Sequence, residues 1–260
     1  MRVTESIAEL KQICQESRED KFFHLTLGDK LVGEVSIYLT KLFLEIGISA
    51  NQATFIGLIV GVTGAAFFVF PSPKYWFIGI ALTGLFIILR RVDGGIARYN
   101  KTASPKGAFW NSMAEAIVSL CTLTCISFGL YYSVHSIYPF VFGFLRLTTV
   151  YLGNVASLLP YRVLHQKGLL SGALVTDETA AAERHPSMII RYGRFFTDIH
   201  TGLLALLICT VVDFFIAPFA IGSLFFNARY IWFIMRTLLA LAATFRGIYF
   251  PLRGGVKLKP

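Results

Sequence analysis

Charge is what this chain has least of. Only 15% of its 260 residues are Asp, Glu, Lys or Arg, against 55% hydrophobic residues and a mean hydropathy of +0.63. An ordinary soluble domain carries charge on roughly a quarter of its residues, so this composition excludes one and indicates an all-α, polytopic membrane protein. Acidic residues are scarcer still, 15 against 24 basic, for a net charge of +9. No basic patch interleaved with aromatics at a groove-reading spacing accompanies that excess, so no nucleic-acid partner is expected, and the bases read as positively charged cytoplasmic loops. The four cysteines, Cys14, Cys121, Cys125 and Cys209, form no CxxC or Cys/His spacing that would frame zinc or a disulfide scaffold, and read as packing residues. His24, His135, His165 and His185 lie in loops or interfaces without ligand spacing, and no chemistry is assigned to them. The N-terminal MRVTESIAELKQICQESREDK lacks a continuous apolar core, so no cleavable signal peptide is expected. Internal repeats and a second soluble domain are also missing.

What the chain does contain is long apolar runs. Six are read as crossing a hydrocarbon core, which takes ~20 residues per helix: about Ala53 to Phe70, Tyr75 to Leu89, Ala108 to Tyr132, Ile137 to Leu159, Phe195 to Ala220 and Phe225 to Leu252. The second is short only if it stops at Arg90, and it can continue as a helix into the charged stretch where that end faces protein or water. Arg90, Arg91, Arg98, Lys101 and Lys106 follow the second; Arg162, Lys167, Arg184, Arg191 and Arg194 follow the fourth; Arg253, Lys257 and Lys259 follow the sixth. The opposite loops hold little more than Lys74 and Arg229. The positive-inside rule then places both termini in the cytoplasm. Ahead of the spans, Leu31, Val35, Tyr38, Leu39, Leu42, Phe43 and Ile46 share one helical face, which predicts an amphipathic helix lying in the cytoplasmic interface. The expected organisation is N-terminal cytoplasmic and interfacial helices over 1–51, six transmembrane helices over 52–252, and a short basic cytoplasmic tail over 253–260.

One stretch concentrates charge where the chain re-enters the membrane: RRVDGGIARYNKTASPKGAFWNSMAEAI, from Arg90 to Ile117. Asp93 follows Arg90 by three residues and Glu115 follows Asn111 by four, so each pair shares a helical face. Two neighbouring antiparallel helices would bring all four into one pocket near the membrane surface. Gly94 and Gly95 remove side chains beside Asp93, which permits close approach by a neighbouring helix or a ligand phosphate. An ionisable group within a span costs ~2.5–3.5 kcal/mol on the insertion scale, so such groups face an interior or a water-filled site. The alternative is that the arginines are interfacial anchors with Glu115 as their counter-ion. Arg146, Asn154, Asp198, His200, Asp213 and Arg236 lie within other apolar runs, and read first as interior ion pairs or interface anchors and second as the lining of the same cavity.

The order Asp93-Gly94, Ala97-Arg98 and Gly107 resembles the signature of the CDP-alcohol phosphotransferase (CDP-alcohol phosphatidyltransferase) family, six-helix membrane enzymes whose pattern reads DxxDGxxARx8GxxxDxxxD. Gly47 to Thr54, GISANQAT, resembles the family's approach to its first span. The resemblance implies transfer of a phospho-substituent from a CDP-linked donor to an alcohol with release of CMP, and homodimers in a lipid membrane. It also implies four aspartates holding two divalent cations, the last aspartate serving as general base. Position by position, Arg90 stands for the first aspartate, Asp93 is the second, Asn111 stands for the third and Glu115 for the fourth. The four family carboxylates sum to −4 and the residues here to −1, a degenerate metal motif.

The resemblance therefore implies catalytic roles for Glu115 and Asp93, and substrate contacts from Arg90, Gly94, Ala97, Arg98, Gly107 and Asn111. At most one weakly held Mg²⁺, on Asp93, Asn111 and Glu115, is expected, with metal dependence weakened or absent. Arg90 in a cation's place suits bidentate phosphate recognition. Two functions stay open, a divergent phosphotransferase of lipid or glycoconjugate synthesis and an inactive relative binding a CDP-linked or lipid ligand for regulation or assembly.

Overall fold

The computed structural model describes residues 5–19, 27–149, 151, 199–216 and 227–253. Every regular element among them is helical: α1 (Ile7–Glu19), α2 (Leu27–Ile46), α3 (Ala50–Phe67), α4 (Pro73–Tyr99), α5 (Pro105–Val134), a stretch α6 at residues 138–149, α7 (Ile199–Ile216) and α8 (Ala228–Arg253). Three stretches, Ala50–Phe67, Pro73–Tyr99 and Phe109–Val134, are long and apolar enough to cross a membrane, and Gly202–Phe215 is a shorter apolar helix. Among the described residues the protein is thus all-helical, with three helices able to cross a membrane. The second span continues as a helix into the charged stretch, α4 running unbroken through Arg90, Arg91 and Asp93 to Tyr99. Much of the expected fourth span, and Asn154 and Asp198, lie outside the described residues.

Local chemistry sets the helix ends. Gly47, at φ +83°, closes α2: its N–H and that of Ile48 donate to the carbonyls of Leu44 and Phe43. Ser49 and Gln52 then cap α3 reciprocally, the Gln52 N–H reaching Ser49 Oγ and the Ser49 N–H reaching Gln52 Oε1. The GIS…Q segment is therefore a stop followed at once by a start, and it turns the chain into the first span. Ser104 and Pro105 start α5 in the same way, with the Gly107 N–H on Ser104 Oγ at 3.2 Å.

Glycines bring α3 against α4 and α5. A Cβ on Gly61 would meet Val118 and Phe86, one on Gly64 would meet Leu82 and Thr83, and one on Gly129 would land on the Phe68 carbonyl oxygen. In lipid, where no hydrophobic force pulls helices together, such close backbone approach is what van der Waals packing requires. Outside the spans, α1 and α2 pack on the C-terminal part of α4. Leu10, Cys14, Ile37, Leu44, Val92 and Ile96 are buried together, while Leu31, Val35, Tyr38, Leu42 and Ile46 of α2 face outward. Burial pushes the Cys14 thiol above its usual range against the pull of Arg98, so it is a neutral packing group.

At the opposite end sits a buried clasp. Asp213 of α7 accepts from the backbone N–H groups of Ala228 and Arg229 and from Arg229 Nε, capping α8. Arg229 also donates to the Pro71 carbonyl at 3.0 Å and lies 4.6 Å from the Trp76 ring centroid. The ion-pair reading of Asp213 holds, and its partner is a residue the loop reading had left on the surface; both are 4% exposed. Removing one member of such a pair strands the other, at ~3–5 kcal/mol. Arg229→Ala should lower the unfolding free energy in detergent by about that amount, and a loss under about 1 kcal/mol, the range of a surface pair, would remove the clasp from the fold's supports.

Candidate functional site

The charged stretch assembles at the end of the helix pair opposite the clasp. Asp93, on α4, is 4% exposed. Thr54, one turn into α3, donates its hydroxyl to Asp93 Oδ2 at 2.7 Å, and the Asn111 amide on α5 donates to Oδ1 at 3.4 Å. Arg90, one turn before Asp93, donates Nε to Asn111 Oδ1 at 3.2 Å and pairs with Glu115 Oε2 at 2.6 Å. Arg90, Asp93, Asn111 and Glu115 therefore form one connected chain across two antiparallel helices, with Thr54 joining from a third. Burial differs along it: Asp93 is enclosed, whereas the Arg90 and Glu115 side chains are 36% and 38% exposed.

The remaining motif residues go elsewhere. The Arg98 guanidinium lies over Gly94, 3.4 Å from where a Cβ would stand, and its Nε donates to the Cys14 carbonyl of α1 at 2.6 Å. Gly95 faces Thr40 of α2, and its carbonyl accepts from the Cys14 thiol. The close approach expected at the Gly-Gly pair is thus made by neighbouring helices and by Arg98. Ala97 is half-buried on α4, and Gly107 sits in the first turn of α5.

A cavity of about 280 Å³ opens beside this chain of contacts, within the apolar part of the bundle. Its lining includes Glu115, Phe68, Trp232 and Phe233 together with Thr83, Ser119, Thr122, Arg146 and Arg236. Glu115 is thereby shared: it pairs with Arg90 on one side and faces the cavity on the other. Sequence reading had placed Arg146 and Arg236 among residues that line such a cavity only as a second choice. Thr54, Thr83 and Thr122 were missed; their signal is a hydroxyl at an inward position of an otherwise apolar helix.

A helical membrane protein with a buried aspartate at the end of a helix pair, and a largely apolar cavity lined by Glu115 beside it, is the class these features define. The sequence model of CDP-alcohol phosphatidyltransferase matches residues 48–173, and a domain of that family spans them. No curated protein matches the chain. The family implies a CDP-linked donor, an alcohol acceptor and a lipid environment, and the domain supports a general phosphotransferase role in lipid synthesis.

The two cations of the family's chemistry do not fit the residues present. Both Asp93 oxygens already accept hydrogen bonds, Glu115 is engaged by a guanidinium, and Asn111 turns its oxygen to Arg90. Among the described residues, no three His, Cys, Asp or Glu side chains converge. Hard divalent ions need several free oxygens, and a neighbouring positive charge opposes them.

Thr54→Val should expose the dependence of Asp93 on its donors. It removes one hydrogen bond to a buried carboxylate at nearly constant volume, at ~1.5–3 kcal/mol for a charged partner. Chemical unfolding of the detergent-solubilised protein checks this, and an unchanged midpoint would show that Asp93 does not rely on the hydroxyl.

Proposed function

We propose that the protein is a divergent CDP-alcohol phosphotransferase in which the Arg90 guanidinium stands in for a cation. The observation that carries this reading is the position of Glu115, a carboxylate at the family's base position that faces a cavity large enough for a small alcohol headgroup. The acceptor oxygen forms a bond to the phosphorus bearing the donor's substituent. The bridging P–O bond breaks, CMP leaves with the electron pair, and the hydroxyl proton passes to Glu115. Arg90 neutralises charge on the diphosphate, Asp93 and Asn111 hold Arg90 and the helix pair in register, and Gly94, Ala97, Arg98 and Gly107 shape the donor side. Metal is limited to at most one weakly held divalent ion on Asp93, Asn111 and Glu115, which would have to displace the contacts that Arg90 and Thr54 make there.

The surrounding architecture belongs to the same proposal: six spans over 52–252, an interfacial α2 with its outward apolar stripe in the headgroup layer, both termini cytoplasmic, and a homodimer. In a cysteine-free background, Lys106→Cys should react with an impermeant thiol reagent only from the cytoplasmic side and Tyr138→Cys only from the other. Labelling of Lys106→Cys from outside would invert the orientation.

Glu115 and Arg90 variants separate an enzyme from a binding relative. Glu115→Gln should abolish CMP release yet retain affinity for CDP-linked donors, since it removes the base and keeps the shape. Arg90→Ala should weaken donor binding with no rescue by Mg²⁺, because it deletes a positive charge and adds no oxygen ligand. Arg90→Asp with Asn111→Asp should create divalent-ion binding measurable by calorimetry. Strong Mg²⁺ dependence of wild-type CMP release would sink the substitution of arginine for metal, and full turnover in Glu115→Gln would sink its role as base.

A further inference from the structure

The N-terminal helix α1 lies outside residues 48–173, the stretch the family model matches, yet it holds one of the signature residues inside that stretch. Arg98 donates its Nε to the backbone carbonyl of Cys14 at 2.6 Å. The two terminal nitrogens of the same guanidinium lie 3.4 and 3.5 Å from where a Cβ on Gly94 would stand, nearer than Cζ at 3.8 Å, so the tips of the fork point toward the residue next to Asp93. The acceptor on α1 is backbone, so the seating of the helix places it. Leu10 and Cys14, one turn apart, are 0% and 1% exposed and pack with Ile37, Val92 and Ile96. The Cys14 thiol donates to the Gly95 carbonyl at 3.5 Å, and a Cβ on Gly95 would stand 3.0 Å from the Thr40 hydroxyl of α2. Glu5, just ahead of α1, accepts from the Tyr99 hydroxyl at 2.9 Å through its side chain and from Lys41 at 3.3 Å through its carbonyl. A buried apolar strip and these polar ties thus seat α1 on α2 and on the C-terminal part of α4.

From this arrangement we infer that α1 is a positioning element of the donor site: seated, it turns the Arg98 fork toward Gly94, and unseating it weakens donor binding. The inference rests on the phosphotransferase reading above, in which Arg98 shapes the donor side, and adds control by a helix outside the matched domain. Nε and the terminal nitrogens of arginine sit on different edges of one rigid plane, so a hold on Nε fixes the direction in which the rest of the fork faces. A guanidinium already held in place also gives up less rotamer freedom when a phosphate arrives than one that must first be ordered. The seat has two distinct states. A helix of 13 residues is marginal by itself in water, so packing on α2 and α4, rather than propensity, keeps α1 formed. The coupling is reciprocal: a donor that binds better with α1 seated must in turn hold α1 down.

The test uses purified full-length protein in lipid nanodiscs with Cys121, Cys125 and Cys209 replaced by alanine. Alkylation of Cys14 then reports unseating of α1, and calorimetry reports the affinity for CDP, the moiety common to all CDP-linked donors. CDP should slow Cys14 alkylation, and Arg98→Met should speed it without nucleotide. Arg98→Met should weaken CDP binding by about tenfold or more, the loss expected for a charge-assisted contact to phosphate. Leu10→Asp puts a charge into the buried strip and touches no residue of the site; it should weaken CDP binding less than Arg98→Met does. Once Arg98→Met is present, Leu10→Asp should have no further effect on affinity, a result that general destabilisation would not give. Arg98→Lys, which keeps the charge without the fork, should recover part of the affinity. If Leu10→Asp does not fold, Leu10→Ala carries the same comparison. Faster Cys14 alkylation in Leu10→Asp with unchanged CDP affinity would overturn the inference and leave the donor reading standing. Tighter CDP binding in that variant, the mark of an α1 that holds Arg98 away, would do the same. Wild-type protein that binds no CDP and releases no CMP from any CDP-linked donor would overturn the donor reading and the inference with it.

Discussion

The carboxylate of Asp93 is the constraint around which the rest is arranged. A charge this deeply enclosed is tolerated only when its oxygens are satisfied, and here the donors come from two other helices, Thr54 on α3 and Asn111 on α5. Satisfying it fixes three helices relative to one another within hydrogen-bond tolerance. Those helices can come that close only because Gly61 and Gly64 present bare backbone to α4 and α5, so the glycine packing and the polar site are one requirement seen from two ends. The clasp at Asp213 and Arg229 does the corresponding work where α7, α8 and the turn after α3 meet.

That dependence explains which parts of the fold could be read from sequence. Spans over α3, α4 and α5 follow from hydropathy alone, and the placement of Arg90 with Asp93 on one helical face and of Asn111 with Glu115 on another follows from helical spacing. The helix of α4 past Leu89 follows from the shared face of Arg90 and Asp93 provided that end meets protein or water, and the structure packs α1, α2 and α3 against α4. Arg229, by contrast, was missed. A lone base beside a short loop looks like a headgroup anchor, and only the fold brings Asp213 to it from a different helix. Gly95 and Arg98 carried the right signal, close approach and charge, and the structure shows α1 and α2 making the contacts.

Thr54 marks a different limit. In the sequence it is one hydroxyl in an apolar helix, where a threonine most often bonds back to the preceding turn, as it also does here through the Ala50 carbonyl. Its second bond, to Asp93, is visible only once α3 and α4 are placed. Thr83 and Thr122 follow the same pattern, since their significance depends on a cavity that no single helix encloses.

The proposed replacement of cations by arginine would change what the site can do as well as what it holds. A divalent ion carries two charges, can shift its ligands during reaction and leaves with product, whereas a guanidinium is tethered, carries one charge and keeps a planar donor geometry. A site built on Arg90 therefore has less charge with which to offset a diphosphate, and must place it better. The chain Asp93–Asn111–Arg90–Glu115 supplies that placement, because each member is held by the next and the guanidinium cannot swing without breaking two contacts. It also links the two halves of the proposed reaction. A donor phosphate drawing Arg90 toward itself would loosen the pair with Glu115, freeing that carboxylate toward the cavity at the moment a donor is present. Acceptor deprotonation would then follow donor binding, an order that a pair of resident metal ions would not impose.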